Sequence, residues 1–243
     1  MSFQQTGTAG TFEGAPGQVS VAQESVPVRM AFIRKVYALF GGAMVVWMGT
    51  AALVASSEEM SRTVAGWFGG GLGLILFLVL GFGILRLTSK SFPLNILGLG
   101  VFAVLYGLIT GPTVYMYAAA YGGYAIVAKA FILAASIFGG LTGYVLLTKK
   151  DFSFMGAGLS IALWSAIGLM LISYFFGIGS TFVASTGFAW AMVLLFAGYT
   201  VYDTSNIVRR YPANMAATAA ASIFADFVLL FLWILRALGA NRD

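Results

Sequence analysis

The sequence predicts an all-α integral membrane protein, a bundle of seven transmembrane helices. Apolar residues make up 60% of the chain and charged residues only 9%, against roughly 25% charged in soluble domains. Mean hydropathy is +0.94. Apolar runs of about 20 residues, the length that crosses a bilayer core of about 30 Å, follow one another from residue 36 almost to the last residue. The chain also lacks both cysteine and histidine, which excludes a disulfide framework, a thiolate site and an imidazole proton relay. Any response to pH therefore falls to carboxylates.

Residues 1–28 hold Gly, Ser, Thr, Gln and Pro with Glu13 and Glu24 and show no apolar period, so they are expected to be a disordered tail before a membrane domain at 29–243. The tail is not expected to be a signal peptide, because the first basic cluster, Arg29, Arg34 and Lys35, precedes a full-length span rather than a short apolar core. Spans are expected near 36–56, 65–87, 93–117, 124–147, 153–176, 181–208 and 214–238. The breaks carry turn and charge signals: Ser56-Ser57-Glu58-Glu59, Ser89-Lys90-Ser91 before Pro93, Lys149-Lys150-Asp151, Gly177-Ile178-Gly179-Ser180 and Arg209-Arg210-Tyr211-Pro212. Between 112 and 124, Pro112 and the run Tyr115, Tyr117, Tyr121, Tyr124 read either as an interfacial aromatic belt or as the kinked end of the third helix.

Basic residues set the expected orientation, since Lys and Arg are retained on the cytoplasmic side. A cytoplasmic N-terminus puts Arg29, Arg34, Lys35, Arg86, Lys90, Lys149, Lys150, Arg209 and Arg210 inside, and leaves Arg62, Lys129, Arg236 and Arg242 outside. Seven crossings then place the C-terminus outside. Arg236 and Arg242 fit that side poorly, so a re-entrant last helix is the alternative to the preferred full crossing. Gly69/Gly73, Gly107/Gly111 and Gly139/Gly143 have the small-xxx-small spacing of close helix approach. Gly69-Gly70-Gly71-Leu72-Gly73 is not a phosphate loop, having neither a preceding strand nor a Lys-Ser/Thr.

Asp203 and Asp226 lie inside the last two apolar stretches. A charged side chain at the centre of a bilayer helix costs roughly 2.5–3.5 kcal/mol on insertion scales, and such residues usually face a bundle interior or a water path. Asp203 could instead cap its helix or pair with Arg209 or Arg210. Asp226, flanked by Ile223, Phe224, Phe227 and Val228, is harder to explain structurally. Asn206, one turn from Asp203, is a candidate support. Arg86 sits near a helix end, where snorkelling to the headgroups is the default.

Four stretches in order, Phe32-Ile33-Arg34-Lys35-Val36-Tyr37, Thr148-Lys149-Lys150-Asp151-Phe152-Ser153-Phe154, Tyr202-Asp203-Thr204-Ser205-Asn206-Ile207 and Ala225-Asp226-Phe227-Val228-Leu229-Leu230-Phe231-Leu232, make the chain resemble a bacterial member of the Bax inhibitor-1, or transmembrane Bax inhibitor motif, family. The resemblance covers about residues 30–240. It implies six helices around a central seventh, a pH-sensitive calcium leak in a bacterial inner membrane, and a proton-sensing pair of aspartates at Asp203 and Asp226. It also implies an arginine latch at Arg86. One departure stands out, because the span 65–87 has no acid, whereas some bacterial members carry an extra acidic cation ligand there.

Elementary electrostatics agrees. Two carboxylates close together in low dielectric do not both ionise cheaply, so they share a proton. Loss of that proton favours separation and leaves hard oxygen ligands that suit Ca²⁺. Direct contact has one geometric condition. Asp203 lies about five residues from the end of its span and Asp226 about twelve into the next, a depth mismatch of roughly 10 Å for helix tilt or a later helix start to absorb.

Ca²⁺ is thus expected as a transported or transiently bound ion, with no tightly bound cofactor and no nucleic-acid partner. The alternatives are an interaction protein that modulates a membrane-bound protease or stress and cell-death signalling, and a cation/proton exchanger using the same aspartates. Intramembrane aspartyl proteolysis would use a similar dyad, but Ile223-Phe224-Ala225 replaces the Gly-x-Gly of those enzymes and no Pro-Ala-Leu element occurs. No enzymatic activity is expected.

Overall fold

A computed structural model describes residues 19–68 and 94–240. Among them the chain forms eight α-helices: α1 (Val26–Ala55), α2 (Glu58–Phe68), α3 (Leu94–Ala120), α4 (Ala125–Thr148), α5 (Met155–Phe176), the short α6 (Ser180–Ala184), α7 (Thr186–Arg209) and α8 (Ala216–Ala240). Five of these, α1, α3, α4, α5 and α8, are long and apolar enough to cross a membrane. The protein is an all-α, multi-pass membrane protein whose surroundings are a lipid bilayer.

Three expectations change. Helix α1 starts at Val26, not near 36, because Pro27 sits in its first turn, where a missing N–H and a fixed φ suit a helix start. Residues 19–28 are not a featureless tail, since Val21–Gln23 form a 3-10 turn, Ser20 pairs with Pro212 in an antiparallel β-bridge, and Val21 is fully buried. Residues 1–18 lie outside the described residues. The expected span 181–208 is divided at Ser185, whose Oγ accepts from Phe188 N (3.1 Å) and caps α7. Helix α7 is not among the five apolar helices, because Thr200, Asp203, Thr204, Ser205, Asn206 and Arg209 occupy its second half. Residues 69–87 of the expected second span, and with them Arg86, Gly69 and Gly73, lie outside the described residues.

Helix α8 occupies the centre, packed against α1, α3, α4 and α7. Sixteen of its 25 residues are buried. Its Phe224, Phe227 and Phe231 meet Trp47 edge to face at centroid distances of 6.4, 6.1 and 5.5 Å, within the range favoured by ring quadrupoles. Phe138 and Phe131 complete the cluster from α4. Helix α5 is the opposite case. None of its residues is buried, and its main helix neighbour is α7.

Helices α1 and α3 run parallel and very close. A Cβ built on Gly107 would lie 2.5 Å from Thr50 Cβ, and one on Gly111 2.4 Å from Val54 Cβ. Trp47 Nε1 donates to Thr110 Oγ1 (3.0 Å) at the same seam. Gly107/Gly111 thus have the expected contact role, whereas Gly139 and Gly143 face open space. Helix α3 continues through Pro112 to Ala120 before turning at Gly122 and Gly123, whose φ of 72° and 134° favour glycine.

Side-chain ties define the two ends of the bundle. At one end, Tyr124 OH donates to Ala55 O (2.9 Å) and Tyr121 OH to Gly239 O (2.7 Å). Arg236 donates there to Val183 O (2.8 Å) and lies over Trp233, which accommodates an arginine near the end of α8. At the other end the start of α1, the α4–α5 connection and the α7–α8 turn converge. There Phe152 N donates to Ser205 Oγ (3.1 Å), Val21 N donates to Tyr211 O (2.9 Å), and Arg209 donates to Lys149 O. Helix α8 runs from this basic end to the opposite one.

Candidate functional site

Asp203 of α7 and Asp226 of α8 line the same cavity where these two helices pack together. The expected depth mismatch is smaller in the structure because α8 starts at Ala216 rather than near 214. Asp203 is six residues before the end of α7 and Asp226 ten after the start of α8, which leaves about 6 Å for tilt to absorb. Asn206, one turn along α7, and Ser222, one turn before Asp226 on α8, also approach the Asp203 carboxyl group. Each is where helical periodicity puts it, since residues three and four apart share a face.

Asp226 is buried (5% exposed), and its Oδ2 has no hydrogen-bond partner. The same holds for Asn206 Oδ1. Unpaired buried polar atoms are uncommon and call for a physical reason. Among the described residues no basic side chain pairs with either aspartate, so Asp203 is not tied to Arg209 or Arg210. Arg209 is instead engaged with the Lys149 carbonyl.

These groups line a cavity of about 350 Å³. It extends from Arg210 and Tyr211 at the basic end to Asp226 and Leu229 inside, with Ser160 and Trp164 of α5 forming one wall. The titratable groups facing the pair are Tyr106 of α3, Tyr199 and Tyr202 of α7, and Tyr211 of the turn, with Arg210 at the mouth. Helix α1 adds Tyr37 on another face of α7, near Thr204 and Thr142. Tyr211, outside the membrane-spanning segments, is buried, and that burial raises the phenol above its ordinary value. Its hydroxyl lies 3.4 Å from Ser222 Oγ. Asp151 has its carboxyl lowered, chiefly by the backbone N–H of Ser153, which donates to Oδ1 at 2.9 Å. Asp151 belongs to the α4–α5 connection and does not line the cavity.

The sequence pattern singled out both aspartates and Asn206. It missed Ser222 and Tyr211. Ser222 carries a signal, four residues before Asp226 on the same face, whereas Tyr211 sits in a turn with no periodicity to place it. Among the described residues there is no group of three or more His, Cys, Asp or Glu side chains placed to hold a metal ion.

A family model described as "Inhibitor of apoptosis-promoting Bax1" matches residues 29–243. The chain is 33% identical to "Bax inhibitor 1" of Schizosaccharomyces pombe over 92% of its own length and 81% of that protein's. It is 31% identical to "Protein lifeguard 4" of Mus musculus, over 90% and 89%. A bacterial relative, "Uncharacterized protein YrjE" of Lactococcus lactis, is 29% identical over 88% and 93%.

Proposed function

The chain belongs to the Bax inhibitor-1 family, and from that premise we propose that it is a pH-sensitive calcium leak gated by protonation of Asp203 and Asp226. The observation that carries the proposal is that the carboxyl-bearing Asp203 and Asp226, on neighbouring helices, line one cavity that reaches the basic end of the bundle. With one proton between them, the carboxyl groups hydrogen-bond and hold α7 to α8. When the proton leaves, two unit charges about 4 Å apart repel by about 4 kcal/mol at an effective dielectric constant near 20. That biases a two-state equilibrium by about a thousandfold. The sign follows directly: raising pH opens the path and lowering it closes the path.

Helix α5 is the element best suited to yield, since it buries no residue and forms the cavity's outer wall. Asn206 and Ser222 keep polar atoms beside the acids, so a passing Ca²⁺ exchanges water for oxygen ligands rather than for bare hydrocarbon. The proposed topology has seven crossings, with the N-terminus cytoplasmic in a bacterial inner membrane. Its support is that α1 and α3 run parallel, as the first and third members of an alternating series of crossings do. The convergence of Arg29, Arg34, Lys35, Lys149, Lys150, Arg209 and Arg210 at one end supports the orientation. Arg86 is proposed as a latch on Asp203 by family resemblance alone.

The test is Ca²⁺ flux into dye-loaded liposomes containing the purified protein, from about pH 5 to about pH 8. Flux above that of protein-free vesicles, rising with pH, is the expected result. Traces equal to protein-free vesicles at every pH remove the leak.

A further inference from the structure

We propose that the cavity beside Asp226 is a binding site for a small organic cation, an ammonium group carrying an aryl or alkyl body. The volume is the first reason. About 350 Å³ lies in the range of small-molecule pockets, which begins at roughly 300 Å³, and exceeds what a bare ion fills. The wall chemistry is the second. Trp164, Phe196, Tyr199 and Tyr202 present aromatic surface around the acids, and a cation within about 6 Å of such a ring is drawn to its face. A divalent metal asks for 6–8 oxygens at about 2.3–2.6 Å, whereas the described residues offer no cluster of three acids. One positive charge matched by a pair of carboxyl groups and wrapped in aromatic carbon suits this wall better than a resident metal.

The third reason is Asp226 Oδ2, buried and without a donor. An ammonium N–H supplies that donor and the charge together. The route in is consistent with this. Arg210 at the mouth is exposed, so its guanidinium can stay in water while a cation passes. The exposed flank of α5, where Trp164 is 71% exposed, lets an apolar body enter from the lipid side. The proposal shares the cavity of the leak reading but does not require Ca²⁺ to pass through it.

The experiment is equilibrium dialysis of the full-length detergent-solubilised protein with radiolabelled 2-phenylethylammonium, and with 2-phenylethanol as the uncharged probe of the same body. The expected result is saturable binding of the ammonium, at least tenfold tighter than that of the alcohol. Asp226→Asn should weaken it at least tenfold. Trp164→Ala, at an exposed position where folding is not at stake, should weaken it several-fold. Non-saturable uptake equal for the two probes, or ammonium binding unchanged in Trp164→Ala and in folded Asp226→Asn, overturns the proposal. Cation binding without Ca²⁺ flux leaves this site standing and removes only the leak. Flux without cation binding does the reverse.

Discussion

Gly107 and Gly111 show how a single missing methyl sets the spacing of two helices. A Cβ is fixed to the backbone and has no rotamer in which to avoid Thr50 Cβ at 2.5 Å, so the helices themselves must part. Gly107→Ala is therefore expected to cost about 1–3 kcal/mol. Gly139→Ala, which meets nothing within 4 Å, should leave the thermal midpoint unchanged or slightly raised, and the pair of variants can be compared in one detergent. At Tyr211 the raised phenol means that the folded state takes up the proton that the unfolded chain releases near pH 10. Its contribution is full below that pH and is lost as pH rises further. Stability should fall above about pH 10, and the part of that fall due to this residue should vanish in Tyr211→Phe. Asp151 has the opposite sign. Its carboxyl is lowered by Ser153 N–H, so its small contribution is present above about pH 4 and lost as pH falls further.

At the scale of elements, the strap formed by residues 20–23 holds the α7–α8 turn through Val21 N to Tyr211 O and the Ser20–Pro212 bridge. Val21→Ala removes buried methyl groups at this clasp. It should speed amide exchange in the α7–α8 turn about tenfold, equivalent to about 1.4 kcal/mol of local stability. Unchanged exchange there would mean the clasp contributes nothing. The long apolar helices were legible because length and hydropathy alone define a span. The expected 93–117, 124–147, 153–176 and 214–238 each meet a helix with edges shifted by three residues or fewer. The strap was not legible, because its order comes from a partner almost two hundred residues away, not from any local period. The break at Ser185 was hidden for a related reason, since an N-cap serine inside an apolar run barely alters its hydropathy. The two aspartates were legible as cost, a charge where lipid forbids one. Their company was legible only in part, because Ser222 and Tyr211 carry no such penalty.

At the scale of the molecule, the parallel packing of α1 and α3 and the passage of α8 from end to end make a prediction about sides. The chain has no native cysteine, so single substitutions report cleanly. Cysteines at Lys150 and Arg210 should label from one side of the membrane, and cysteines at Ser57, Gly122 and Gly179 from the other. Labelling of Arg210 and Gly122 positions from the same side would contradict the three crossings of α4, α5 and α7 that lie between them. Within that frame, Asp203 and Asp226 line a single cavity inside the bundle. The most direct measurement is the pH profile of Ca²⁺ flux for Asp203→Asn and Asp226→Asn beside the native protein, each first shown to be folded. The rise of flux with pH is expected to disappear in either variant, because neither retains two carboxylates to repel. A native pH profile in both variants would contradict it.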